Sequence, residues 1–284
     1  MTEDLKKVKD LLKVRNCSDK TAINYISCIN RFKMYFKDRE LKDLEEDDIL
    51  EYLKVNFINL GYSSASINVN RAAIKYYYLV NFKRELNNTL LPSTKVNSRF
   101  PLIFDDNDFL KIINSTDNIK HKLWFALGLG SGLRINEVVT LKMGDFSFNT
   151  GRIRVIGKGN KQRYVPFPEL THNLLLEYYE KYKNEIEKFG GYIFFSVRND
   201  YNNKHISEDA INYAINKLKK KFNLDKSITF HTLRHSFATN YIRNGGDLWK
   251  LKKILGHSHI NSTTIYVHMA DDFKEIHSPL DTNL

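Results

Sequence analysis

The sequence predicts a mainly α-helical chain with one small β-sheet, an α+β arrangement split into an N-terminal helical bundle and a larger C-terminal domain. Three observations carry this. Apolar residues recur at steps of three and four along much of the chain. One stretch, 152–166, changes to two β-like runs around a Gly-rich turn, the pattern of a hairpin. Residues 87–101 lose periodicity and gather Asn, Ser, Thr and Pro, so they read as a linker. The expected divisions are therefore 1–86, 87–101 and 102–284.

The N-terminal elements follow from spacing. Residues 5–14 form a leading helix. From Thr21 to Lys37, Ala22, Tyr25, Ile26, Ile29, Phe32 and Phe36 share one face, and Ser18 can cap that helix. A further helix starts near Glu45, where Glu45, Glu46, Asp47 and Asp48 suit the positive end of a helix dipole. Ile49, Leu50, Leu53 and Phe57 form its apolar face and Gly61 ends it. Ser63 or Ser64 then caps a helix whose apolar face is Ile67, Ala72, Ile74, Tyr78 and Leu79.

In the C-terminal domain, Asp105 and Asp106 can cap a short helix with Phe109, Leu110, Ile112 and Ile113. Helices are expected over 121–129, over 135–141 after the Gly130-Ser131-Gly132 turn, and over 169–188. Tyr192 to Ser196 reads as a lone strand. The chain onward to about Ile254 reads as mostly helical, with turns at Gly245-Gly246 and Gly256.

Composition narrows the function. Of 284 residues, 44 are Lys or Arg and 33 are Asp or Glu, a formal net charge of +11 that favours a polyanionic partner. The two cysteines, Cys17 and Cys28, cannot build a disulfide framework or a four-cysteine zinc site, and a reduced cytoplasmic compartment is expected. The charged N-terminus does not read as a signal peptide. No apolar run approaches the roughly 18 residues of a membrane span.

Five segments hold candidate chemistry: Gly132-Leu133-Arg134-Ile135-Asn136-Glu137, Gly157-Lys158-Gly159-Asn160-Lys161, His231-Thr232-Leu233-Arg234-His235, Leu255-Gly256-His257-Ser258-His259, and Ser262-Thr263-Thr264-Ile265-Tyr266. Two arginines can clamp a phosphate with forked N–H donors. A lysine at a hairpin tip is a mobile proton donor, histidines move protons near neutral pH, and a tyrosine can attack phosphorus. No carboxylate cluster accompanies them, so two-metal phosphoryl transfer is not indicated and cations are expected to do the electrostatic work.

Each element also has an ordinary reading. Arg134 alone can be a surface ion-pair residue, Lys158 and Lys161 solvated turn residues, and Tyr266 one of 16 tyrosines used for packing. His231 and His235 have the helical spacing of zinc ligands, but Thr232 stands where a His-Glu-x-x-His base is needed. The Gly128-x-Gly130-x-Gly132 run lacks the preceding strand of a dinucleotide site. Gly157-Lys158-Gly159 lacks the P-loop frame.

Together, and in this order, the five segments resemble the tyrosine recombinase (phage integrase and Xer) family over nearly the whole chain. The resemblance implies an N-terminal SAM-like core-binding domain and a C-terminal catalytic domain that together clamp duplex DNA. It implies Arg134 and Arg234 as catalytic arginines, His231 as an acid/base residue, and Lys158 as the leaving-group acid with Lys161 as competitor. His257 becomes a donor to a phosphate oxygen and Tyr266 the nucleophile. Glu137 would support geometry, and His235 and His259 receive no catalytic role.

No cofactor or metal is implied. The partner is double-stranded DNA at a recombination site, bound by a homotetramer, with a second recombinase or accessory protein possible. Residues 267–284 would dock on a neighbouring protomer through Phe273, Ile276 and Leu280. Ser64, Arg71 and Lys75 share one face of a predicted helix and, with Lys95 and Lys161, are candidate DNA contacts. Three questions stay open at this point: dimer resolution against mobile-element integration, a regulator that no longer cuts, and a type IB topoisomerase-like activity.

Overall fold

The computed structural model describes residues 1–95, 102–104, 106–157, 160–197, 204–225 and 227–270. The chain divides into two compact units, Met1–Arg99 and Phe100–Leu284.

The first unit is helical. α1 (Glu3–Val14), α2 (Asp19–Tyr35), α3 (Glu46–Leu53) and α4 (Ser64–Phe82) surround one core. Ser18 accepts a hydrogen bond from the Thr21 N–H, as expected of an N-cap. Ser63, rather than Ser64, caps α4 through the Ser66 N–H. A π-helical turn, Lys54–Ile58, prolongs α3 and buries Phe57.

The buried face of α4 is rotated from the expected one. Ile67, Ile74 and Tyr78 are buried as expected, but Leu79 is exposed and Ala72 half-buried, and Asn70, Ala73 and Tyr77 are buried in their place. The reason is chemical. The Tyr77 hydroxyl donates to Asp4 Oδ2 (2.7 Å) and that of Tyr78 to the Leu41 carbonyl (2.6 Å). With their polar tips satisfied, the rings fill more core than a leucine would.

Residues 87–95 are not a free linker. Leu86 and Leu91 are buried in the same core. The Asn68 amide exchanges two 2.9 Å hydrogen bonds with the Thr94 backbone. Arg71 donates to the Leu91 carbonyl and to Asn88 Oδ1, and Lys75 to the Leu86 carbonyl (2.5 Å) and Asn88 Oδ1 (2.6 Å). An irregular strip without periodicity looks like a linker in sequence, but side chains of α4 satisfy its backbone.

In the second unit, α5 (Asp106–Ile113) precedes α6 (Ile119–Ser131), which is buried around most of its circumference and is the central element. α7 (Ile135–Thr140) follows. β1 (Phe146–Ser147), β2 (Arg152–Ile156) and β3 (Gln162–Pro166) form an antiparallel sheet in that order. The register pairs Ile153 with Val165 and Val155 with Arg163. Strand β1 was not expected, because two residues carry no readable alternation. The expected lone strand over 192–196 is absent. Only isolated bridges join Tyr192 to Lys142 and Phe195 to His205, among the described residues.

α8 (Glu169–Lys188), α9 (Glu208–Lys221), α10 (Phe230–Arg243), α11 (Leu248–Leu255) and α12 (Asn261–Ala270) complete the unit. The glycines of α6 serve packing. A Cβ at Gly128 would press on Leu233 of α10, and one at Gly130 on Pro168. Among the described residues no helix is long and apolar enough to cross a membrane. The expected tail beyond Ala270 lies outside the described residues, as do Lys158 and Gly159.

Candidate active site

The site begins where two helices end. Gly132 closes α6 in the left-handed region (φ +63°), and a Cβ there would collide with the Phe237 ring. Gly256 closes α11 likewise (φ +65°). Helix C-termini leave carbonyls unpartnered and carry partial negative charge. Arg234, only 3% exposed, uses both. Its Nη1 donates to the Gly132 carbonyl and its Nη2 to the Leu255 carbonyl, each at 2.6 Å. Burial, then the charge of Arg134, pushes this guanidinium down to about 9, which leaves it cationic at neutral pH.

Arg134 precedes α7. Its backbone N–H donates to Glu137 Oε2 (2.8 Å) and its Nη1 to Oε1 (3.1 Å). Glu137 is 5% exposed and also receives Arg163 in a two-pronged bond, Nη1 to Oε1 and Nη2 to Oε2, both 2.8 Å. Arg234 Nη1 lies 3.9 Å from the same carboxylate. Burial works against the Glu137 charge, yet the Arg163 hydrogen bonds and the neighbouring arginines hold its pKa below the ordinary glutamate value. Three guanidinium groups thus meet one carboxylate, and the cluster keeps a surplus of positive charge.

One histidine lies against Arg234 and another against Tyr266. His257 Nε2 lies 3.4 Å from Arg234 Nη2, and its Nδ1 3.0 Å from Thr263 Oγ1. A guanidinium only donates, so Nε2 is the bare nitrogen here and Nδ1–H donates to Thr263. His235 Nδ1 is 2.9 Å from the Tyr266 hydroxyl oxygen. Burial followed by neighbouring positive charge, chiefly Arg234 for His257 and His231 and Arg234 for His235, lowers both imidazoles to about 4. They are neutral at pH 7. His231 is exposed, although partial desolvation, Arg234 and Arg134 also hold its pKa below the ordinary value.

Tyr266 lies on α12, 2% exposed, in one buried cluster with Phe237, Ala238, Leu251 and Leu255. The His257 ring is stacked near it, centroids 6.4 Å apart. Burial raises the phenol pKa, and Arg234 and Arg134 act in the opposite direction.

The structure therefore gathers Arg134, Glu137, His231, Arg234, His257 and Tyr266. Lys158 lies outside the described residues. Lys161 is exposed near the start of β3, and Ser64, Arg71, Lys75 and Lys95 belong to the other unit. Arg163, His235 and Thr263 were not singled out for this cluster. Arg163 had a readable signal, since in β3 it alternates with exposed Tyr164 and shares the face of buried Val165. His235 had none, because helical spacing cannot tell which histidine meets a tyrosine 31 positions away.

The phage integrase family model matches residues 104–272, and the phage integrase N-terminal SAM-like domain model matches residues 5–88. The chain belongs to the phage integrase family. It is a tyrosine recombinase similar to the Xer proteins. The tyrosine recombinase XerD of Staphylococcus epidermidis is 26% identical over 269 residues, covering 90% of each chain. The tyrosine recombinase XerC of Pediococcus pentosaceus is 27% identical, covering 91% of this chain and 90% of its own. In fold, this phage integrase family member matches the XerH site-specific recombinase bound to palindromic difH substrate in a post-cleavage complex. The TM-score is 0.72 at 24% identity, covering 94% of this chain and 81% of that one.

Proposed function

We propose that this tyrosine recombinase cuts and rejoins duplex DNA through a 3′-phosphotyrosyl bond formed on Tyr266. One observation carries the reading. The Glu137 cluster holds more guanidinium than carboxylate charge, and the phenol of Tyr266 feels the charge of two of those arginines. A phosphodiester supplies the negative charge that balances the cluster, and preorganised donors are worth most where charge develops in the transition state.

In the first step the Tyr266 oxygen bonds to phosphorus and the bond to the 5′ oxygen breaks. The phenolic proton passes to His231, whose exposure and neutral state suit a base. Lys158 protonates the departing 5′ oxygen. Arg134 and Arg234 bind the non-bridging oxygens. His257 donates to a phosphate oxygen only after its bare Nε2 gains a proton, which an arriving anion favours. A 5′-hydroxyl from a partner strand then reverses the sequence. The phosphotyrosine conserves the bond energy, so the scheme calls for neither ATP nor metal.

The net charge of +11 supports DNA as the partner, since phosphate contacts dominate nonspecific affinity. Exchange between two duplexes needs four active sites, hence a homotetramer on DNA, working in the cytoplasm. Exposed Lys95 and Lys161 and half-buried Ser64 are the better phosphate contacts, because Arg71 and Lys75 are engaged with residues 86–91.

The test is covalent capture on a pool of nicked random-sequence duplexes. The wild-type chain is expected to form a denaturation-resistant adduct, and Tyr266→Phe to bind the pool yet form none. An adduct that survives in Tyr266→Phe removes the nucleophile assignment. The captured sequences then separate dimer resolution from mobile-element integration.

A further inference from the structure

The nucleophile is not free to react where it stands. Tyr266 is 2% exposed and belongs to one buried cluster with Phe237, Ala238, Leu251 and Leu255. A phosphate on a rigid duplex cannot reach an oxygen covered to this degree, so the phenol has to leave this position to attack. The hydroxyl meets one side-chain partner among the described residues, His235 Nδ1 at 2.9 Å, across rings 5.7 Å apart. His235 lies one residue after Arg234 on α10, a helix whose neighbouring positions 232–234 and 236–240 are all buried, so the imidazole rides on a fixed backbone.

We propose that His235 is a positioning residue that latches the nucleophile: the Tyr266 O–H donates to His235 Nδ1 and keeps the phenol in a covered, unreactive place until DNA engagement releases it. The inference rests on reading Tyr266 as the nucleophile. It gives His235 a role separate from those of His231 and His257.

The alternative is that His235 takes the phenolic proton. The groups around it decide against that. His231 and Arg234 on its own helix, His257 after α11, and Tyr266 on α12 face it; Arg234 already places a positive charge there, to which a protonated His231 would add. Burial and those charges make His235 a weak base, while burial makes the phenol a weak acid. The proton stays on oxygen, and the contact works as a hydrogen bond with bare Nδ1 as acceptor. Loss of one neutral hydrogen bond corresponds to a factor of about 3 to 10 in the fraction of released phenol.

Two measurements test this. In the full-length protein, the ¹⁵N resonance of His235 Nδ1 should be that of an unprotonated acceptor, and Tyr266→Phe, which removes only the hydroxyl, should shift it. An unmoved resonance overturns the latch. Second, 3-fluorotyrosine placed at position 266 should show almost no H₂O/D₂O solvent shift in ¹⁹F spectra of the wild-type chain. His235→Leu should raise that shift towards that of an exposed phenol, and His235→Gln, whose amide oxygen can accept, should restore shielding.

On the pool of nicked random-sequence duplexes, His235→Leu should form the covalent adduct about 3 to 10 times faster than wild type. His235→Gln should lie near the wild-type rate. An adduct lost in His235→Leu with the phenol exposed would make His235 a participant in the chemistry and overturn the latch. A wild-type chain that forms no adduct counts against the nucleophile, while the ¹⁵N result still decides the contact.

Discussion

Two arginine–carboxylate sets, one in each unit, use the same chemistry to opposite ends. In the N-terminal unit, Arg84 reaches Glu46 (2.7 Å), Glu45 (3.1 Å) and the Leu44 carbonyl (2.7 Å), and lies over the Tyr78 ring. In the catalytic unit, Glu137 gathers Arg134, Arg163 and Arg234. The first set has two carboxylates for one guanidinium and is partly open to water. The second has three guanidiniums for one carboxylate, with Glu137 and Arg234 almost fully buried. An acid-rich, wet set can only tie helices together. A base-rich set around a buried carboxylate, with Arg234 buried, Arg163 nearly so and Arg134 partly open, cannot neutralise itself, which is the feature that the proposed function uses to hold an anion. Carbonyls at the ends of α6 and α11 make that imbalance tolerable, since they stabilise Arg234 without cancelling its charge.

The largest break in this comparison comes from Glu137→Gln. It leaves guanidiniums buried without their counter-charge, and about 3–5 kcal/mol of stability should be lost, read from the denaturant midpoint of the catalytic unit. A loss below about 1 kcal/mol would mean that the cluster is as well solvated as the Arg84 set. Arg163→Lys is the next step down. It keeps the charge but loses the forked bond to Glu137 and the 2.7 Å bond from Nε to the Ile254 carbonyl. We expect a loss of about 2 kcal/mol and slower adduct formation with DNA binding retained.

Much of this was legible in sequence where the physics is local. Period-3.6 faces placed the helices, and alternation placed β2 and β3. Ordered motifs pointed to Arg134, Arg234, His231, His257 and Tyr266, which the fold brings into one cluster. What was not legible depends on distant partners. Strand β1 is two residues long and exists only through its pairing with β2. Residues 87–95 look like linker until Asn68, Arg71 and Lys75 bind them. The alternation of β3 turns Arg163 inward with Val165, but its partner Glu137 lies 26 positions away and is fixed only by the fold. His235 differs from His231 only in which element it faces.

Acid sharpens the comparison further. His235 and His257 titrate near 4 in the folded chain and near 6.5 when unfolded. The unfolded chain therefore takes up protons first. Stability present above pH 6.5 should fall as pH drops from about 6.5 to 4, by about 1–2 kcal/mol for each histidine after screening of these partly exposed rings. Glu137, with its depressed pKa, should add its own loss only below the ordinary glutamate range. His235→Gln should flatten the upper part of that profile. An unchanged slope between pH 6.5 and 4 would show that the imidazole is not held neutral by its surroundings.

The smallest effect is expected from the set that looks busiest. Arg84→Met keeps an unbranched stem against Tyr78 and removes the charge facing Glu45 and Glu46. Glu46 also accepts the Asn87 N–H (3.1 Å), and that bond, rather than Arg84, is the leading reason its pKa is low. The carboxylate therefore stays partnered after the change, unlike the guanidiniums left behind in Glu137→Gln. With water able to reach Arg84 and Glu45, the loss should be about 0.5–1 kcal/mol, measured by thermal unfolding. If Arg84→Met instead cost as much as Glu137→Gln, burial of the carboxylate would not be what separates the two sets, and the surplus of charge around Glu137 would lose its standing as the proposed reason for an anion to bind there.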